Sequence, residues 1–149
     1  MLFSGVVVFS LLILGACWVV DRGSAPGGFD TTLIGADFAD RNCKDGQVLR
    51  ATEDNPKFLL RIIGSTRCRT AWADIEWLGP FDQQPDQIEA SIYPMGYDRA
   101  GPQAQVVRKS DTRYTRTGMI ERGSRGSVCA VGGVVVDGHR STSQDELCD

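Results

Sequence analysis

The chain has 149 residues, 42% of them apolar and 23% charged, which leaves room for one ordinary domain and excludes a disordered or fibrous protein. A formal charge of −3 argues for solubility and against general affinity for nucleic acid. The charge is uneven: residues 1–20 carry none, 21–98 a net −5, 99–125 a net +5 and 126–149 a net −3, so one basic region sits inside an acidic protein.

The first element is the apolar run Gly5 to Val20, closed by Asp21 and Arg22. Counted from Met1 it reaches about twenty residues, the least that spans a bilayer as a helix. A secretory signal normally places Lys or Arg ahead of such a run, and MLFSG has neither. Leu14-Gly15-Ala16-Cys17 resembles a lipobox, which makes Cys17 the candidate lipidation site. A lipoprotein signal peptide, an uncleaved anchor, simple secretion and a buried helix remain as alternatives, and all but the last place the residues beyond about 22 outside the cytoplasm. Residues 21–36 are rich in Gly, Ser and Pro without periodicity and read as a tether, so the β-domain is expected over 37–149.

From there the texture is β. Strands are expected at Val48 to Thr52, Phe58 to Ile63, Thr70 to Leu78, Gln87 to Tyr93, Gln105 to Lys109, Arg113 to Thr117 and Met119 to Arg122, with two pieces in Val128 to Val136 broken at Gly132-Gly133. Asn55-Pro56, Gly79-Pro80, Pro94 and Gly101-Pro102 punctuate them, and no window offers a long amphipathic helix. Short strands at regular spacing predict an all-β domain, a small antiparallel barrel or sandwich.

The cysteine count is odd. Setting Cys17 aside leaves Cys43, Cys68, Cys129 and Cys148, which in an exported domain read as two disulfides with three possible connectivities. Cys43–Cys68 and Cys129–Cys148 are favoured, because each pair brackets a segment that folds locally. Arg67 and Arg69 around Cys68 have the charge to activate a thiol, but oxidation to a disulfide is the simpler outcome in that compartment. No CxxC is present and the one histidine, His139, sits in a polar stretch, so neither a metal site nor a cofactor is expected.

Catalytic signatures are missing: there is no GxSxG, Walker loop, HExxH or calcium loop. A triad would need His139 as base, in the solvated setting VDGHRSTSQD. Asp82, Asp86 and Glu89 are irregularly spaced for a cation, and the RGSRGS of residues 122–127 reads as a hairpin turn. The best binding candidate is the basic stretch: Arg108, Lys109, Arg113, Arg116, Arg122 and Arg125, around Tyr97 and Tyr114. Neighbouring strands would present alternate cations on one face.

Ser65-Thr66-Arg67-Cys68 followed by Trp72-Ala73, with Cys43-Lys44-Asp45 ahead and Thr117-Gly118-Met119 and Cys129-Ala130 behind, resembles the YjfA-like domain-of-unknown-function family. These are small secreted or membrane-tethered bacterial proteins, and the likeness spans residues 37 to 135. Gly64 stands where the family has Tyr, and Asp74 where it has a basic residue. The resemblance implies an exported, disulfide-bonded β-domain and no enzyme activity. The expected function is therefore a non-enzymatic binding domain of the bacterial cell envelope. It would be membrane-held through its N-terminus and engage an anionic wall polymer, a lipid head group or a protein, with no nucleic acid. The alternative is an inhibitor or immunity-type protein that plugs a secreted enzyme.

Overall fold

Alternating apolar residues require a sheet with one face turned inward, and two such sheets facing one another bury both. The structure, a computed structural model, describes residues 30–52, 55–123 and 126–149. Strands run over Gln47–Ala51 (β1), Phe58–Ser65 (β2), Thr70–Trp77 (β3), Gln87–Pro94 (β4) and Gln105–Lys109 (β5). They continue over Tyr114–Arg116 (β6), Ile120–Glu121 (β7), Val128–Val136 (β8), His139–Thr142 (β9) and Leu147–Cys148 (β10). The fold is all-β, a sandwich of two antiparallel sheets.

The first sheet is the meander β1-β2-β3, with β6 and β7 sharing the far edge of β3. β6 pairs with Asp74, Ile75 and Glu76, and β7 with Thr70 and Ala71. The second sheet is β5-β4-β8, with β9 and β10 sharing the far edge of β8. The core lies between them. β2 contributes Phe58, Leu60 and Ile62, β3 Ala73 and Ile75, β4 Ile88 and Ile92, and β8 Val128, Ala130 and Val134. Each Phe, Leu, Ile and Val side chain among them stabilises the fold by about 2 kcal/mol through burial.

β8 is one continuous strand, not two pieces. Gly132 breaks the apolar pattern in the sequence, yet its inward face is filled from across the core: a Cβ there would lie 2.8 Å from Ile75 Cδ1 and 3.2 Å from Leu60 Cδ1. The glycine admits its neighbours rather than ending the strand. His139 opens β9 instead of lying in a loop. β7 and β8, on either side of residues 122–127, do not pair as the expected hairpin, because β7 lies in the first sheet and β8 in the second.

The domain also begins earlier than Asp37. Asp30 caps a short 3-10 turn, Thr31–Leu33, through a hydrogen bond from the Thr32 amide to its carboxylate. Leu33 is buried, Gly35 donates to Met119 O at 2.8 Å, and Met119 donates back to Ala36 O at 3.0 Å. Residues 30–36, read from sequence as tether, thus pack against the outer face of the first sheet. There Leu33, Cys43, Trp72 and Met119 form a second small core, and Phe38 stacks on Trp72 with ring centroids 4.6 Å apart.

Both favoured disulfides are present. Cys43–Cys68 ties this covering segment to the β2–β3 turn, and Cys129–Cys148 ties β10 to β8. They are consistent with an oxidising, extracytoplasmic environment. The apolar segment 1–20 and Cys17 lie outside the described residues, among which no helix is long and apolar enough to cross a membrane.

Candidate functional site

Along β4 the inward residues are Ile88, Ala90 and Ile92, so Glu89 and Ser91 face outward. Register sets their neighbours on that face: Arg108 and Gly133 flank Glu89, and Val106 and Val131 flank Ser91. The chain leaving β4 then folds back across the sheet, fixed where Ser91 Oγ donates to Arg99 O at 2.5 Å. A turn follows in which the Asp98 carboxylate accepts from the Ala100 amide at 2.9 Å. Together these elements enclose an open cleft of about 260 Å³ on the outer face of the second sheet.

Three guanidinium groups stand around the cleft, those of Arg99, Arg108 and Arg140. One carboxylate organises two of them: Glu89 accepts from Arg108 Nε at 3.0 Å through Oε2 and pairs with Arg140 through Oε1. Its side chain is only 18% exposed, against 57% and 53% for the two arginines. Gly133 makes room for this arrangement, since a Cβ there would sit 3.5 Å from Glu89 Oε1 and 3.1 Å from Thr142 Cγ2. Arg99 makes no ion pair among the described residues. Three cations against one anion leave the cleft positively charged, with the Thr142 and Ser143 side chains at its margin.

The basic stretch singled out in the sequence is divided by the fold. Between β5 and β6 the chain crosses from one sheet to the other, so Arg108 and Arg116 point to opposite faces of the sandwich. Lys109, opposite Ile88, is on the other side of β5 from Arg108. Arg113 is a clamp for the β3–β4 connection. It donates to the carbonyls of Pro80, Gln83 (2.7 Å), Gly79 (2.6 Å) and Trp77 (3.4 Å), and lies over the rings of Trp77 and Phe81. Arg122 Nε pairs with Asp149 at 2.7 Å, and Arg125 lies outside the described residues. Tyr97 is exposed at a separate cleft.

Arg116 and Tyr114 belong to a self-compensating network on the outer face of the first sheet. Arg116 lies over Phe38 and Tyr114, Tyr114 donates to Asp74 Oδ2 at 2.6 Å, and Arg61 pairs with Glu76 at 3.2 Å. Burial and the Asp74 carboxylate push the Tyr114 phenol up to about 12. Arg61 Nε and Asp74 Oδ1 are buried there without a hydrogen-bond partner among the described residues.

The carboxylates weighed in the sequence part company as well. Asp86 accepts from the Gly138 amide at 3.0 Å, and only Glu89 reaches the cleft. Glu146 lies close to Cys129 and Cys148, but both sulfurs are bonded to each other and offer no thiolate to a metal. His139 is exposed and lines a shallow cleft with Lys57 and Ser141. Lys57 Nζ donates to Ser141 Oγ at 2.7 Å within this cleft.

Arg99 and Arg140 escaped the sequence reading because neither is near Arg108 in its own strand. Arg99 arrives by the loop that folds back, and Arg140 by the β8–β9 hairpin. The alternation of β4 was the one local signal, since it sets Glu89 on the solvent face beside whatever cations its neighbours supply. No protein-family model, curated protein or solved structure matches the chain, so the resemblance of residues 37–135 to the YjfA-like family rests on its motif residues alone.

Proposed function

We propose that the chain is a non-enzymatic binding domain of the bacterial cell envelope, held at the outer face of the membrane by residues 1–20. On this reading it takes a phosphate group of an anionic wall polymer into the cleft between Arg99, Arg108 and Arg140. The observation that carries the reading is the low-exposure Glu89 carboxylate, which fixes Arg108 and Arg140 side by side before any ligand arrives. Guanidinium groups suit phosphate oxygens because their N–H donors are paired and planar. Pre-positioning them lowers the ordering cost of binding. The two disulfides support an extracytoplasmic setting.

The test is a titration of the full chain with poly(glycerol phosphate) at low and high salt. Binding should weaken as salt rises, because exposed charges are screened over about 8 Å at physiological ionic strength. Arg140→Ala should weaken it roughly tenfold, the weight of one hydrogen bond to a charged group. Salt-indifferent binding, or an unchanged affinity in an Arg99→Ala/Arg140→Ala variant of intact fold, rejects the reading.

A further inference from the structure

Where β4 stops and β8 begins, the sandwich has another open cleft, of about 450 Å³. Ile34, Pro94, Tyr97, Pro102, Ile120 and Val128 line it, and Glu121 is the one charged residue among its described lining. Its rim displays apolar side chains to solvent: Ile34 is 47% exposed, Tyr97 55%, and Met95, next to Pro94, 51%. These groups are held by backbone bonds. Met95 donates to Ser127 O at 2.9 Å, Tyr97 to Pro94 O at 3.1 Å, and Gly35, beside Ile34, to Met119 O at 2.8 Å. Exposed apolar side chains in one cleft and on the turn beside it mark a contact surface.

What covers them follows from where the chain comes in. Ile34 stands four residues after Asp30, the first of the described residues. Only residues 21–29 separate Asp30 from the apolar run that ends at Val20, and residues 18–29 separate it from Cys17. A Gly-rich linker of that length has a root-mean-square span of about 15–20 Å. Fully extended it covers at most about 40 Å. Whether lipid or helix holds the N-terminus, the Ile34 end of the domain therefore meets the bilayer at high effective concentration. Loop 78–86, with Phe81 at its tip, is at the opposite end, where β3 stops and β4 starts.

We infer that the Ile34–Met95–Tyr97 end of the sandwich lies on the bilayer that holds the chain's own N-terminal segment, with these three side chains at head-group level. The inference rests on residues 1–20 being membrane-held. Tyrosine favours that depth because its ring is apolar and its hydroxyl wet, and Ile34 and Met95 add buried apolar area. Glu121 gains nothing from an anionic surface, so neutral lipid suffices and the contact is insensitive to salt. This sets it apart from the arginine cleft, whose binding fades with salt.

The full chain is incorporated into phosphatidylcholine nanodiscs carrying a trace of head-group gadolinium lipid, and amide broadening is read along the chain. Residues 34, 95–97 and 120–121 should broaden at least about twofold more than residues 79–83 and 137–139, at low and high salt alike. An Ile34→Ser/Met95→Ser/Tyr97→Ser variant with an otherwise native spectrum should lose the difference. Equal broadening at the two ends, or the stronger effect at 79–83, overturns the inference while leaving the anchor intact. A chain that stays out of the discs, seen by size exclusion before any spectrum, overturns the anchor and the inference with it.

Discussion

Arg113 directs its whole guanidinium at backbone, reaching carbonyls of Trp77, Gly79, Pro80 and Gln83 within one crossover. Gln83 N also bonds to Pro80 O at 3.3 Å within that connection, and Leu78 N to Lys57 O at 2.9 Å outside it. Arg113→Ala should therefore cost about 2 kcal/mol in chemical denaturation, the price of leaving several acceptors unsatisfied. Arg113→Lys should recover less than half of it, since an ammonium is a point donor and not a planar fork. In the sequence Arg113 is one cation among seven in a basic stretch. What a long side chain faces is decided by the segment that crosses it, here more than thirty positions earlier, and no local pattern records that. The same holds for the cleft, of whose three arginines only Arg108 was legible.

Elements were easier to read than their neighbours. Strands β2, β3, β4 and β5 stand where alternation and turn residues place them, because burial on one face writes a period of two into the sequence. Pairing leaves no such mark. β5 and β6 are separated by only four residues, and nothing in those residues announces that the chain changes sheet. The β2–β3 hairpin is a case where a distant residue completes an element. Asp45 accepts from Ser65 Oγ at 2.6 Å and from the Arg67 amide at 2.9 Å, and Ser65 Oγ accepts from the Cys68 amide at 3.0 Å. The donors from Ser65 and Arg67 hold the Asp45 carboxyl below its usual range. With the folded value depressed, its contribution is complete above the unfolded value of about 3.9 and disappears as pH falls through the folded one. Stability measured from pH 6 down to pH 2 should decline in the wild type. In Asp45→Asn that decline should be shallower, from a lower starting value at pH 6.

The two disulfides act on the domain as a whole because one lies towards the start of the described residues and the other at their end. One holds the segment over Trp72, and the other holds β10, whose neighbour Asp149 accepts from the Val128 amide at 2.7 Å. With sequence separations of 25 and 19, each should contribute about 3 kcal/mol through loop closure. Cys43→Ser/Cys68→Ser and Cys129→Ser/Cys148→Ser should each lower unfolding free energy by that amount. Only the first should red-shift tryptophan emission, because it uncovers Trp72.

The divided margins of the two sheets carry a last consequence. One margin of the first sheet is split between β6 and β7, and one of the second between β9 and β10. β1 carries an irregularity between Val48 and Arg50, and β5, the remaining outer strand, displays Arg108 and Lys109. Among the described residues, no margin offers a long, flat, uncharged row of free amides, the template on which one copy would zip onto the next. Copies of a protein with such margins stay separate molecules even where they are crowded together, instead of growing into fibres.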